Sequence, residues 1–250
     1  SVFMNRKCIV LICYFRSLET EKVLQALQQL DKIDEYELVV VRQEGQDPAC
    51  SEVKQIIESI DWIPKHHLTT SYHHNETIRQ KINANTLKGL NYAFDSCNAS
   101  MTILIEDDIL LGYDSLLFFE SIIQKYDTDP LFRAVNAFSK EPFSKNDLNR
   151  YGKFQYGIGK GVGISRKKWF SFFKKRWPYT QDIYYDSYLE TSLKMGYVIM
   201  PYCSRSYEIG WGEKAMNAPK YKTTLFTAME KSWVNTRPFS LHHYEIDTSL

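Results

Sequence analysis

The sequence predicts an α/β fold with a mixed, mostly parallel central sheet flanked by helices. Short apolar runs rich in β-branched residues alternate with segments whose apolar residues recur at helical spacing. The first run, Lys7 to Tyr14, is apolar almost throughout, as in strands buried on both faces. The resulting β-α-β-α-β order implies parallel pairing through right-handed crossovers.

The elements follow in chain order. After the first strand come Arg16 and Ser17, and Ser17 is placed to cap a helix through Leu30, with Val23, Leu24, Leu27 and Leu30 on one face. Tyr36 to Val41 is the second strand and ends in a polar loop, Arg42-Gln43-Glu44-Gly45. Residues 51–60 read as a second helix and 68–70 as a third strand. Residues 76–97 read as a long helix, with Ile78, Ile82, Leu87, Leu90 and Phe94 along one face. It runs into a buried strand, Met101 to Ile105. Residues 113–126 read as a helix stopped by Asp129-Pro130, residues 132–138 as a strand, and 139–153 as a polar loop. A basic, aromatic helix is expected over 166–175, a helix capped by Asp182 and ending near Gly196, and a last strand at 197–201.

Composition narrows the functional class. The chain has 250 residues, of which 44% are hydrophobic, enough to bury a sizeable core. A net charge of +1 gives no argument for a nucleic-acid partner. Aromatic residues make up 14%, a content that suits a sugar-binding surface as well as a core. The five cysteines are an odd number without a C-x-x-C pair, which points to a reducing compartment. No run reaches transmembrane length and no signal peptide is visible. We therefore expect a cytoplasmic protein, with peripheral contact at the inner membrane face or further domains as additions compatible with the start at Ser1.

The chemistry concentrates at Glu106-Asp107-Asp108, directly after the buried strand. Like charges repel and desolvation penalises each acid, so an acidic turn in solvent or a site for a cation are the two readings. Hard ions such as Mg²⁺ or Mn²⁺ take oxygen ligands and bridge phosphates. Arg16 and Glu44 end the first two strands and fall on the same sheet edge, where open α/β sheets bind ligands. That convergence favours a metal–diphosphate site.

Three further stretches stand out. Four alternating glycines lie between Tyr156 and Ser165, including Gly161 and Gly163; they fit a turn or a backbone wall beneath a substrate. Their spacing is neither that of a P-loop nor G-x-G-x-x-G. Asp186 lies one turn into the later acidic helix and is a candidate for chemistry; the alternative is a first-turn acid favoured by the helix dipole. Gly210-Trp211-Gly212-Glu213-Lys214 reads as a Gly-hinged loop able to close on a ligand, or as an ordered surface turn. The six histidines stand in three adjacent pairs; the first two read as loop residues, and His242 or His243 could join a metal shell. Strand alternation would put Glu106 and Asp108 on one side and Asp107 on the other.

The ordered set resembles glycosyltransferases of the GT-A (Rossmann-like) fold, and more narrowly the N-acetylglucosaminyltransferase I family. The features are Arg16-Ser17 after a strand, Gln43-Glu44 after a second, and a helix running into an acidic strand end. Gly161-Val162-Gly163, Trp177-Pro178, Tyr184-Tyr185-Asp186 and a glycine loop near Gly210 follow in order. The resemblance implies a single domain over 1–250, with a nucleotide-binding half at about 1–112 and an acceptor half at about 113–250. It implies that Arg16 and Glu44 hold the nucleotide and that Glu106-Asp107-Asp108 is the family's DXD motif. In that motif Asp108 binds Mn²⁺ (or Mg²⁺), while Glu106 and Asp107 support the ribose and metal waters. It places a catalytic base at Asp186 and donor contacts at Gly161, Gly163 and Trp211.

The function implied is inverting transfer from a nucleotide sugar, with UDP-N-acetylhexosamine or UDP-hexose as best donor. The acceptor would be a glycan or lipid-linked glycan, as in bacterial surface polysaccharide synthesis. Two alternatives belong to other classes. A sugar-nucleotide nucleotidyltransferase would need a glycine-rich basic loop after the first strand, which Tyr14-Phe15-Arg16-Ser17-Leu18 lacks. A non-catalytic carbohydrate-binding module would not need both Asp108 and Asp186.

Overall fold

The computed structural model describes residues 6–141, 144–210 and 245–246. The strands β1 (Lys7–Cys13), β2 (Tyr36–Gln43) and β3 (Lys65–Thr70) lie side by side in parallel. Helices α1 (Ser17–Gln28) and α2 (Pro48–Glu58) make the crossovers. After α3 (Ile78–Asn91), β4 (Met101–Glu106) returns to the free side of β1, with Cys8 level with both Glu37 and Thr102. The strand order reverses there, so the carboxyl ends of β1 and β4 are neighbours, the position where such sheets hold ligands.

The rest of the chain extends the sheet beyond β4. β5 (Ile109–Leu111), α4 (Ser115–Tyr126), β6 (Phe132–Asn136), β7 (Arg150–Phe154), β8 (Val162–Ser165), β9 (Tyr197–Pro201), β10 (Ser206–Glu208) and β11 (Glu245–Ile246) complete the strands and the second half's first helix. Among the described residues the sheet has nine strands in the order β11-β7-β9-β6-β8-β4-β1-β2-β3. β8 runs antiparallel to β4 and to β6, and β7 antiparallel to β9, so the sheet is mixed and mostly parallel as the sequence predicts. A separate antiparallel ribbon joins β5 to β10.

Alternation along the strands splits the core into two layers. Ile9, Leu11, Leu38, Val40, Ile103 and Ile105 pack with α1, α2 and α4, including Val23, Leu27, Val53 and Phe119. Val10, Ile12, Val39, Val41 and Leu104 face the other way, toward Leu90, Phe94, Trp169 and Leu189. Local chemistry starts the helices. Asp47 accepts from the Ala49 N–H ahead of Pro48 at the start of α2, and Thr77 and Gln80 form a reciprocal capping box for α3. At Gly89 a Cβ would stand 2.5 Å from Val10 Cγ1, so its bare backbone lets α3 lie close on the sheet.

Several elements differ from expectation. The first two histidine pairs divide: His66 and His67 lie in β3, not in a loop, because β3 begins at Lys65. The polar stretch before 153 contains β7, whose Tyr151 and Gly152 are buried while Lys153 is exposed. α3 ends at Asn91 and continues as a wide π turn, Tyr92–Ser96. The basic helix is short: α5 (Arg166–Lys168) gives way to a π turn and a 3-10 turn. α6 spans Tyr185–Thr191, and Asp182 caps nothing; its carboxylate accepts from the Thr77 hydroxyl at 2.8 Å and pairs with Arg79 at 3.5 Å. All five cysteines are free and buried. Among the described residues no helix is long and apolar enough to cross a membrane.

Candidate functional site

The carboxyl ends of β1 and β4 open into a cavity of about 370 Å³. β1 stops at Cys13, and the chain turns through Tyr14 and Phe15 so that Arg16 precedes α1. β4 stops at Glu106, so Asp107 and Asp108 stand in the turn toward β5. The period-2 rule ends with the strand, and the three acids fan out to three partners instead of alternating. Glu106 Oε2 accepts from the Tyr185 hydroxyl of α6 at 3.2 Å. Asp107 Oδ2 accepts from the Tyr14 backbone N–H at 3.4 Å. Asp108 Oδ2 pairs with the Arg16 guanidinium at 2.8 Å, and both groups are buried.

Two more acids complete the cluster. Asp186, in the first turn of α6, lines the same cavity, and its Oδ1 accepts from the Ser187 N–H at 2.8 Å. Glu208 ends β10 and is brought in by its pairing opposite Ile109, with Lys160 at 3.9 Å. Burial, and then the neighbouring Asp108 and Asp186 charges, push the Glu106 carboxyl up to about 8. Burial and Asp108 raise Asp107 to about 7, and the same two causes raise Glu208 to about 7. Burial opposes the Arg16 charge, yet Asp108, Asp107 and Glu106 outweigh it and hold that guanidinium above its ordinary value.

The sequence-predicted residues are placed unevenly. Arg16, Glu106, Asp107, Asp108 and Asp186 all line the cavity. Glu44 does not; its side chain is half exposed, 3.5 Å from Arg42, while the preceding Gln43 lines the cavity and accepts from Asn85 at 3.0 Å. Gly161 and Gly163 lie in the core rather than in the cavity wall. A Cβ on Gly161 would meet Leu111 and Ile105, and one on Gly163 would stand 2.8 Å from Phe119. Gly161 has φ +101°, which accounts for glycine there. Trp211, residues 211–217 and His242 and His243 lie outside the described residues. Gly210 is described, and a side chain on it would collide with the Asp108 carboxylate and the Arg16 guanidinium.

Within the glycine run it is Gly159 and Lys160 that reach the cavity, and sequence reasoning missed Gln43 and Glu208 at this site. Gly159 lets Asp186 approach, since a Cβ there would stand 2.8 Å from Asp186 Oδ2. The run is pinned rather than loose: Glu190 accepts from the Gly157 and Ile158 N–H groups, and Asn136 donates to the Gly157 and Gly159 carbonyls. Glu208 carries no local signal, because the short β5–β10 ribbon brings it in from far along the chain. A more open hollow of about 500 Å³ lies between α1 and α2, away from every acid of the cluster.

The donor set fits a hard divalent ion. Its charged oxygens are what Mn²⁺ or Mg²⁺ prefers, and raised acids gain from a cation that discharges them. The cluster does not bring three ligand atoms within 4.8 Å of one another, the arrangement suited to an ion that keeps waters and substrate phosphates. Five carboxylates thus face a cavity that Arg16 and Lys160 also line, a balance suited to a metal-borne anion.

No protein-family model and no curated protein matches the chain. Solved structures do. The chain is similar to mannosyltransferase PcManGT from Pyrobaculum calidifontis, in complex with GDP-Man and Mn²⁺, at 17% identity and TM-score 0.51, covering 81% of this chain and 58% of that one. It is similar to S. aureus TarS in complex with UDP-GlcNAc, at 13% identity and TM-score 0.56, covering 85% and 61%. It is also similar to GalNAc-T7 with UDP, GalNAc and Mn²⁺, at 12% identity and TM-score 0.58, covering 86% and 45%. The chain spans about half to three-fifths of these proteins. At such identities the likeness establishes the fold, GT-A, and does not reach the narrower kinship with N-acetylglucosaminyltransferase I.

Proposed function

We propose that this chain is a metal-dependent, inverting glycosyltransferase domain that moves a sugar from a nucleotide diphosphate donor to a hydroxyl of a glycan or lipid-linked glycan acceptor. The observation that carries this reading is the meeting of Asp108–Arg16 and Asp186 at one cavity. The first two come from the proposed nucleotide half and the third from the proposed acceptor half. Solved neighbours of this fold carry UDP-GlcNAc, GDP-Man, or UDP and GalNAc with Mn²⁺, which supports a nucleotide-sugar donor and Mn²⁺ as the first ion to try.

Asp108 would hold the ion, with Glu106 and Asp107 orienting its waters and the donor ribose. A bound Mn²⁺ or Mg²⁺ supplies Lewis-acid neutralisation of the departing diphosphate. Arg16, held by Asp108, adds fixed positive charge on the same side. Gln43 reaches the cavity and contacts the nucleotide, in place of the outward Glu44. Asp186 takes the acceptor hydroxyl proton as general base, a role worth about 10²–10⁴-fold. The donor remains to be chosen among UDP-N-acetylhexosamines, UDP-hexoses and GDP-mannose. A donor screen with Mn²⁺, reading released UDP or GDP in the presence of glycan acceptors, tests the proposal. Release of one nucleotide with matching acceptor glycosylation is expected; binding of nucleotides without release from any sugar donor would contradict it.

A further inference from the structure

The amino end of the sheet, opposite the acidic edge, carries a second cluster of ligating side chains. Glu37 lies near the start of β2, level with Cys8 of β1, and His66 lies in β3 level with Val39. Cys97 follows the π turn that ends α3. Alternation puts Cys8, Glu37 and His66 on the α3 side of the sheet. His66 Nε2 is 3.0 Å from Glu37 Oε1 and 3.6 Å from Cys97 Sγ. Among the described residues this is the only trio of His, Cys, Asp or Glu whose ligand atoms all lie within 4.8 Å of one another.

The arrangement is not that of a catalytic relay. A thiol, base and acid relay places the thiol and the acid on opposite ring nitrogens. Here both meet the same Nε2, while Nδ1 lies 3.1 Å from the Tyr92 hydroxyl. In the tautomer whose Nε2–H donates to Glu37 no ion is held; in the one whose Nδ1–H donates to Tyr92, Nε2 turns its lone pair toward a carboxylate and a sulfur. Three electron-rich donors around one point are what a cation satisfies. With Zn–S at about 2.3 Å and Zn–N at about 2.0–2.1 Å, a tetrahedral ion separates sulfur and nitrogen by about 3.6 Å. The Cys97–His66 separation is 3.6 Å.

The surroundings resemble those of built metal sites. Arg6 grips Glu37 through two bonds of 2.7 Å, holding the carboxylate charged and in place. The Tyr92 hydroxyl meets the His66 ring from its far side at 3.1 Å and holds its orientation. The buried Cys8 thiol hydrogen-bonds that of Cys97 and lies outside the trio. Glu37 and His66 keep 19% and 25% of their side-chain surface exposed, which gives an ion a way in.

The geometry points to a second metal site of zinc type, formed by Glu37, His66 and Cys97 with water as fourth ligand. Thiolate and imidazole select Zn²⁺ over the hard ions suited to the acidic edge. Binding releases the thiol proton to solvent and ties β2, β3 and the end of α3 together. The site is thus a clamp on the half that carries Arg16 and Asp108, remote from the chemistry.

Cobalt(II) titration of the full, reduced chain tests this, with Zn²⁺ as competitor. The expected result is a thiolate-to-cobalt charge-transfer band that Zn²⁺ abolishes. Cys97→Ser should remove the band, and His66→Gln should weaken Co²⁺ binding at least tenfold. Asp108→Asn should leave the band unchanged. Wild-type protein without a thiolate band at excess Co²⁺, or a band that survives Cys97→Ser, overturns the site. If Cys97→Ser fails to fold by circular dichroism, the part-exposed His66→Gln variant decides: unaltered Co²⁺ affinity overturns the site equally.

Discussion

Glu106 offers the sharpest test of the electrostatics at the acidic edge. Its carboxyl is raised from 4.5 to about 8, chiefly by burial and then by Asp108 and Asp186. A raised acid holds its proton longer in the folded chain than in the unfolded one. Folding stability therefore falls as pH rises from about 4.5 toward 8, and the penalty is absent below the unfolded value. Glu106→Gln keeps the shape and an oxygen to accept the Tyr185 hydroxyl, but removes the ionisation. Each pKa unit is worth about 1.4 kcal/mol. Part of the Glu106 surface opens to the cavity, which tempers the cost, so roughly 1–3 kcal/mol should separate the two proteins at pH 8. For a chain of this size that is about 3–10 °C in melting temperature. Thermal melts of metal-free wild type and Glu106→Gln at pH 5 and pH 8 read it directly. The variant should be the more stable at pH 8, with the gap nearly closed at pH 5. Saturating Mn²⁺ should narrow the pH 8 gap by discharging the wild-type cluster. A gap that does not change with pH, or one that favours wild type at pH 8, refutes the reasoning.

Two other perturbations follow from the same geometry. Asp108→Asn removes the proposed metal ligand and leaves Arg16 without its buried anionic partner; we expect nucleotide-sugar binding by calorimetry to lose its Mn²⁺ dependence and to weaken by about tenfold or more. Gly159→Ala puts a Cβ 2.8 Å from Asp186 Oδ2, so turnover should fall by about 10–10²-fold while nucleotide binding stays within about threefold, measured by steady-state kinetics and calorimetry.

Much of this architecture is legible in the residues, and the exceptions have physical causes. β1 and β9 are apolar runs buried on both faces, and 197–201 matches its strand at both ends. The acidic edge announces itself because three carboxylates directly follow the apolar run Met101 to Ile105. The pairing of Asp108 with Arg16 does not, since it joins residues 92 positions apart. Glu44 shows how sharp the strand period is: one residue earlier, Gln43 enters the cavity, while Glu44 turns outward. The glycine run shows the reverse. Four similar residues have different duties, Gly163 packing under Phe119 and Gly159 making room for Asp186, and only tertiary contacts separate them. β7 escaped notice because Arg150 and Lys153 interrupt its alternation around Tyr151 and Gly152.

The central claim is that Asp186 deprotonates the acceptor beside a donor held at Arg16 and Asp108. The most direct measurement pairs single-turnover sugar transfer with donor affinity for wild type and Asp186→Asn, using the donor and Mn²⁺ identified by the screen. Loss of transfer by about 10²–10⁴-fold, with donor affinity within about threefold of wild type, is the predicted result. Near-normal transfer by Asp186→Asn would contradict it.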